Sequence, residues 1–246
     1  MLFFKNFRKK TVPIGELGIV EDNHCHLLPG VDDGVQEMDE TLAILGDMAD
    51  FGIRTVRLTP HINPEIFPSD EESTLRNYYS LIGRLPQEIR DRLEVRLGAE
   101  YMVTPEFHQR DPKELLQFRD GKVLIEMSYY YPSLNIKEAV FNITSSGLKP
   151  VIAHPERYLY CAGNLKEYDV LHDLGCDFQL NLLSLGGAYG PDSVLIMKYL
   201  MKRGFYACVG TDTHTRAHFK KISHLELPSD LADGVKEILR RQEQTD

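Results

Sequence analysis

The 246 residues carry 42% hydrophobic and 26% charged side chains, the composition of an ordinary globular protein able to bury a sizeable core. A formal charge of -9 speaks against general nucleic-acid binding, which needs clustered cations to displace counterions from phosphates. Carboxylates gathered around divalent cations would give the same acidic balance while building a locally positive site.

Residues 1–17 are expected to form an N-terminal extension ahead of a single domain, 18–246. The first ten residues are basic and aromatic but lack the apolar core and small-residue cleavage site of a signal peptide. They fit a frayed or locally packed terminus, with weak contact to an anionic membrane surface as the alternative. Strands are predicted at 18–24, 54–59, 93–99, 122–127, 150–154, 177–182 and 205–210. Helical spacing links Leu42, Leu45 and Ala49, then Val194, Met197 and Met201, then Leu231, Val235 and Ile238. Asp39 and Ser73 suit helix N-caps, and Gly52, Gly147, Gly175 and Gly204 sit where helices should stop. Seven alternations imply parallel strands with right-handed crossovers, hence an α/β fold of the closed or nearly closed (βα)7 type, with a doubly wound open sheet as the alternative. No apolar run is long enough to span a bilayer. The four cysteines, Cys25, Cys161, Cys176 and Cys208, have no paired zinc or redox spacing and fit free thiols in a reducing cytosol.

Almost every predicted strand runs into a metal-ligand type of residue. The first leads to His24 and His26 and then Asp32 and Asp33; the second ends at His61, the third at Glu100, the fourth at Glu126. The fifth ends at His154, followed by Glu156 and Arg157, and the seventh at Asp212 and His214. Taken singly, each admits a plainer account: a His-x-His pair is weak evidence, and either glutamate could be a capping or ion-paired carboxylate. Their coincidence is what matters, because active sites of parallel α/β barrels assemble at the C-terminal ends of the strands. Imidazole and carboxylate together suit a cluster of divalent ions.

The His24-Cys25-His26 segment, Val31-Asp32-Asp33-Gly34, Gly98-Ala99-Glu100-Tyr101, the run from Pro150 through His154-Pro155-Glu156-Arg157-Tyr158, and Asp212-Thr213-His214 resemble the successive motifs of polymerase-and-histidinol-phosphatase (PHP) family protein-tyrosine phosphatases. These are manganese-dependent enzymes linked to bacterial capsule and exopolysaccharide regulation. The resemblance covers roughly residues 20 to 240. It implies a distorted (βα)7 barrel with a three-metal site, and as ligands His24, His26, His61, Glu100, Glu126, His154, Asp212 and His214. One of Asp32 and Asp33 would complete the set, and Asp32 is favoured. Manganese is the expected ion, with iron, zinc or cobalt as alternatives. The implied substrate is phosphotyrosine in protein, in particular the tyrosine-rich tail of a cytoplasmic bacterial kinase, and the implied location is the cytoplasm. The sequence departs from the family in its longer N-terminal segment and in Cys25 between the paired histidines, to which no role is assigned.

Phosphate-ester hydrolysis needs an activated water and charge neutralisation on the phosphoryl oxygens. Arg157, three residues past His154, is the first candidate for a bidentate phosphate clamp and Arg216 the second. Tyr129, Tyr130, Tyr131 and Tyr158 could form an aryl-accepting rim or be partly buried loop aromatics. No cysteine is followed six positions later by arginine, and neither a Gly-x-Ser-x-Gly elbow nor a phosphate-binding Gly-x-x-x-x-Gly-Lys loop is present. The competing readings are a PHP phosphoesterase for a small molecule such as histidinol phosphate, a metal-stabilised regulatory domain without turnover, and a cysteine-dependent phosphatase.

Overall fold

A computed structural model describes residues 10–244 apart from 64 and 68. The basic, aromatic stretch at 1–9 thus lies outside the described residues. The chain starts with β1 (Thr11–Pro13), then β2 (Glu21–Cys25), α1 (Met38–Phe51), β3 (Thr55–Leu58), α2 (Glu71–Arg84), the single-turn α3 (Gln87–Arg90), β4 (Glu94–Leu97) and β5 (Glu100–Met102). It continues through β6 (Lys122–Glu126), α4 (Ile136–Ser145), β7 (Lys149–Ile152), α5 (Lys166–Asp173), β8 (Asp177–Asn181), α6 (Pro191–Arg203), β9 (Tyr206–Gly210), α7 (Arg216–Ser223), β10 (Glu226–Pro228) and α8 (Ser229–Glu243). All seven expected strands are present, within a few residues of their expected ends.

The strands form two parallel sheets, β2-β3-β4 and β5-β6-β7-β8-β9, rather than one continuous ladder. The break falls at Gly98 and Ala99, between β4 and β5. Gly98 packs so tightly on Phe118 that an added Cβ would lie 2.5 Å from its Cα, so the chain kinks there. The two sheets meet at two places: Cys25, at the end of the edge strand β2, bridges Thr213, and His61, just past the central strand β3, bridges Glu100. Backbone bonds from His26 N to Thr213 O and from Asp212 N to His24 O, at 2.9 and 2.7 Å, reinforce the first seam. The first seam lies at the carboxyl ends of β2 and β9 and the second past the carboxyl end of β3, at the start of β5, and both are made by residues of the expected ligand set or their immediate neighbours.

A third, two-stranded antiparallel sheet pairs β1 with β10, Val12 opposite Leu227. It was not foreseen, since three-residue strands show no usable alternation. Its next residue, Ile14, donates from its backbone to Leu225 O and is wholly buried, and Leu17 is buried too. The segment just before residue 18 is therefore packed into the protein.

Helix ends follow local chemistry. Gly52 and Gly204 close α1 and α6 in the left-handed conformation, where glycine carries no Cβ penalty. At the start of α2, Asp70 rather than Ser73 is the N-cap; the two form a capping box, Asp70 Oδ1 accepting from Ser73 N and Ser73 Oγ from Asp70 N. Asp39 lies inside the first turn of α1, whose N-cap is Glu37 without a side-chain bond. None of the described helices is long and apolar enough to cross a membrane.

Candidate metal centre

His24 and His26 stand one residue apart at the end of β2 and beyond, with Cys25 between them turned away toward Arg57 O. Each histidine has its Nδ1 tied down: His24 to Gln179 Oε1 at 2.9 Å and His26 to Asp32 Oδ2 at 2.8 Å. With those nitrogens engaged, both rings present Nε2 inward, 3.0 Å apart, an orientation fixed by outer hydrogen bonds as in most histidine metal sites. Two glycines make the placement possible. A Cβ on Gly34 would meet His26 O at 2.2 Å, and one on Gly210 would meet His24 Cβ at 2.6 Å, so the loop after β2 and the end of β9 close onto the histidines only with glycine there.

Glu100 is the hub. Its Oε2 lies 3.0 Å from His24 Nε2, 3.2 Å from His26 Nε2 and 3.3 Å from His61 Nδ1, and its Oε1 lies 2.9 Å from His154 Nε2. His61 Nδ1 also faces Glu126 Oε1 at 3.1 Å. Asp212 Oδ1 lies 3.4 Å from His26 Nε2 and 3.5 Å from His214 Nδ1. The donors fall into four overlapping groups able to hold a cation: His26, Asp33, His61 and His214; His24, His26 and Asp212; His24, Glu100 and His154; His61, Glu100 and Glu126. His24, His26, Asp33, His61, Glu100, Glu126, His154, Asp212 and His214, all from the strand ends, meet here.

Asp32 and Arg216 lie outside these donor groups. Asp32, the favoured ligand, is fully committed elsewhere: besides His26 Nδ1 it accepts from His61 N and Gly34 N at 2.9 Å each. It orients the loop, and Asp33 supplies the carboxylate that faces His61 Nε2 and His214 Nε2, at 3.6 and 3.5 Å. Arg216 is not at the centre; it is exposed and grips Asp47 with Nε and Nη2 at 2.6 and 2.8 Å, tying α7 to α1. The aspartates should separate by experiment. In metal-free protein Asp32→Ala leaves two buried donors and one partly buried donor without their acceptor and should cost about 2–4 kcal/mol. Asp33→Ala, at a half-exposed side chain, should stay within about 0.5 kcal/mol yet weaken metal binding about tenfold or more. Thermal melts in chelator and metal titrations read the two effects.

The electrostatics are those of a cation site. Burial pulls the His24 and His26 pKa values down, but carboxylates overcome it: Glu100 and Asp212 raise His24, and Asp32, Asp212 and Glu100 hold His26 well above its usual range. His61, opposed by burial but facing Glu126 and Glu100, rises to about 9. Burial opposes ionisation of Glu100 and Asp212, yet the surrounding imidazoles, with Arg157 beside Asp212, hold both well below the normal carboxylate range. Protons thus occupy the charge-neutralising role that bound cations would take, and cations entering the site must displace them.

A test of fit needs more than proximity. Glu126 Oε2 and His154 Nδ1 are buried without a hydrogen-bond partner among the described residues, a cost a protein seldom bears without a function. The two non-glycine residues with positive φ among those described are His154 at 35° and Asp212 at 54°; backbone strain of this kind collects at functional sites. Nitrogen and oxygen donors without thiolate suit manganese, iron, zinc or cobalt. The residues fit a multi-cation centre.

Arg157 borders it. Its Nη1 donates to Asp212 Oδ2 at 2.5 Å, and its guanidinium lies over two aromatic rings, 4.4 Å from the Tyr129 ring centroid and 4.8 Å from that of Tyr189. Tyr129 Oη is 3.2 Å from His154 Nε2. Tyr158 is wholly buried, donating to Ala153 O, so it supports the fold and not the rim. Gln179 and Tyr189 were missed; neither residue type marks a metal or phosphate site by itself. Glu156, one residue before Arg157, accepts from Ser184 Oγ, Tyr206 Oη and Asn181 N and anchors the loop. The four thiols are all buried and free, and burial raises each pKa, so none is a poised nucleophile.

The family model for capsular polysaccharide synthesis, CpsB/CapC, matches residues 20–225. The tyrosine-protein phosphatase CpsB of Streptococcus pneumoniae is 30% identical over 200 residues, covering 78% of this chain and 82% of that protein. The tyrosine-protein phosphatase YwqE of Bacillus subtilis is 27% identical over 234 residues, covering 90% and 92%. A crystal structure from the pair YwqE and CpsB, metal-dependent tyrosine phosphatases, is similar with a TM-score of 0.72 at 27% identity, covering 90% of this chain and 95% of that one. A histidinol phosphate phosphatase from Lactococcus lactis shares the fold, with a TM-score of 0.55 at 13% identity over 90% and 93% of the two chains.

Proposed function

The chain belongs to the CpsB/CapC family of capsular polysaccharide synthesis, and from that premise we propose that it is a metal-dependent protein-tyrosine phosphatase. The observation that carries this reading is the convergence of His24, His26, His61, Glu100, Glu126, His154, Asp212 and His214, with Asp33, beside a positioned arginine. Residues 18–246 are read as the phosphatase domain and 1–17 as its extension. Its strands are read as one distorted (βα)7 barrel, supported by the two seams that join the parallel sheets. Sharing of His24, His26, His61 and Glu100 among the four donor groups supports one compact centre of three ions, with manganese as the working ion.

Divalent ions held there supply Lewis-acid activation of water and neutralise charge on the phosphoryl oxygens. The protein's own residues do the rest. Gln179 and Asp32 engage Nδ1 of His24 and His26, so that Nε2 of each is left for ligation once a cation takes the place of its proton. Arg157, with one edge on Asp212, keeps its remaining N–H groups for phosphate oxygens. A tyrosyl leaving group has a conjugate acid of pKa about 10, so expulsion needs far less proton donation than an alkyl ester would. The physiological substrate is read as a phosphotyrosine protein, in particular the tail of a bacterial tyrosine kinase, and the setting as the cytoplasm.

The deciding experiment compares a phosphotyrosine peptide with histidinol phosphate, with and without chelator. Hydrolysis of the peptide should be lost in chelator and restored by manganese, while iodoacetate, facing buried thiols, leaves it intact. Preference for histidinol phosphate, or activity that survives metal stripping, would overturn the reading.

A further inference from the structure

Apolar side chains seldom crowd an exposed surface without a partner. Here Ile66, Tyr129, Tyr130, Tyr131 and Leu134 are all exposed, Tyr130 to 90% and Leu134 to 96%. They stand on two loops only, the one after β3 and the one after β6. Between these loops and the residues following β5 runs a cleft of about 640 Å³, bounded by Asn63, Ile66, Met102, Ser128, Tyr131 and Leu134, within the size range of ligand clefts.

The cleft is lined by the residues that follow three of the metal-centre donors along the chain. Asn63, Met102 and Ser128 each lie two residues beyond a member of the donor set, His61, Glu100 and Glu126 respectively. Each wall is pinned to the centre as well. Phe67, next to Ile66, stacks on His61 with centroids 5.5 Å apart. Tyr129, at the root of the other wall, reaches His154 and covers Arg157. A phosphotyrosine ester seated at the cations and Arg157 would bring its own polypeptide chain over this cleft.

We propose that the cleft binds apolar residues flanking the phosphotyrosine of a protein substrate, making the enzyme selective for tyrosine phosphate in an apolar sequence context. This rests on the phosphatase reading above. Tyrosines suit such a wall, because they offer large contact area for little lost rotamer freedom. Glu65 on one wall, with no lysine or arginine among the residues lining the cleft, disfavours acidic flanks. A second copy of the chain is the rival occupant, and the test separates it.

The manganese-loaded full chain is assayed on free phosphotyrosine, on a phosphotyrosine peptide with apolar flanks, and on one with acidic flanks. Wild type should favour the apolar peptide over free phosphotyrosine by about tenfold or more in kcat/KM, the scale of one or two buried apolar anchors. Ile66→Asp and Leu134→Asp, both at exposed side chains and so harmless to folding, should bring that ratio close to one. Equal turnover of all three compounds, or an unchanged ratio in the variants, overturns the cleft alone. Failure to hydrolyse any of them, while another phosphomonoester is cleaved, overturns the tyrosine-phosphatase reading and the cleft with it. A dimer in sedimentation that both substitutions abolish, with the ratio unchanged, assigns the patch to self-association and rejects the proposal.

Discussion

Glu100→Ala should lower kcat on phosphotyrosine by about three orders of magnitude or more, equivalent to about 4 kcal/mol of lost transition-state stabilisation, and should strip metal from the protein. No other side chain in the centre is approached by four imidazoles, those of His24, His26, His61 and His154. It belongs to two of the four donor groups, so its removal opens two cation positions together. It also supplies much of the negative charge that raises the pKa of His24 and His61 against burial. Without it, cations would be held among rings with less countercharge, in surroundings where water screens little. Glu100→Gln separates charge from shape: the amide nearly fills the same volume, so a folded, metal-poor, inactive Gln variant attributes the loss to the carboxylate charge. Metal analysis and circular dichroism beside kinetics make the distinction. Full metal content with near-normal kcat in either variant would show that Glu100 is a structural acid and would remove the centre's hub.

What the sequence discloses here is whatever short-range pattern controls. The β-branched runs ending in His, Asp or Glu give both the strands and the ligands, because in a parallel α/β fold a strand's end and the site's edge are the same place. What it hides depends on partners far away in the chain. Asp32 and Asp33 are chemically equal until the close approach of Gly34 to His26 O fixes the turn and sends one carboxylate back to His26 and the other toward His214. Arg216, two residues from His214, looks like a phosphate ligand until α1 brings Asp47 against it. Gln179 holds His24 across 155 residues, and β1 finds β10 at the far end of the chain. In all but the aspartate pair the deciding contact is long-range, where no spacing rule reaches.

Arg157→Ala should reduce kcat/KM on phosphotyrosine by about two orders of magnitude or more, the usual loss when a preorganised donor to developing charge is removed, while leaving metal content unchanged. Inhibition by inorganic phosphate should weaken in parallel, since the same N–H groups would bind the product. Arg157→Lys should not rescue it: a point-charge ammonium cannot span Asp212 and a phosphate together or lie flat over two rings. The rings are part of the prediction. Burial opposes the charge on Arg157, but Asp212 keeps it firmly cationic, and the guanidinium lies over the faces of both Tyr129 and Tyr189, an attraction of about 0.5–2 kcal/mol per ring. Tyr189→Phe preserves the face and should keep near-normal kcat/KM. Tyr189→Leu loses it and should cost about three- to tenfold, close to the value of one cation–π contact, chiefly in KM because the arginine is still present but less well held. Wild-type phosphate inhibition in Arg157→Ala would show that the arginine serves only as the partner of Asp212, and phosphate recognition would then rest on the cations alone.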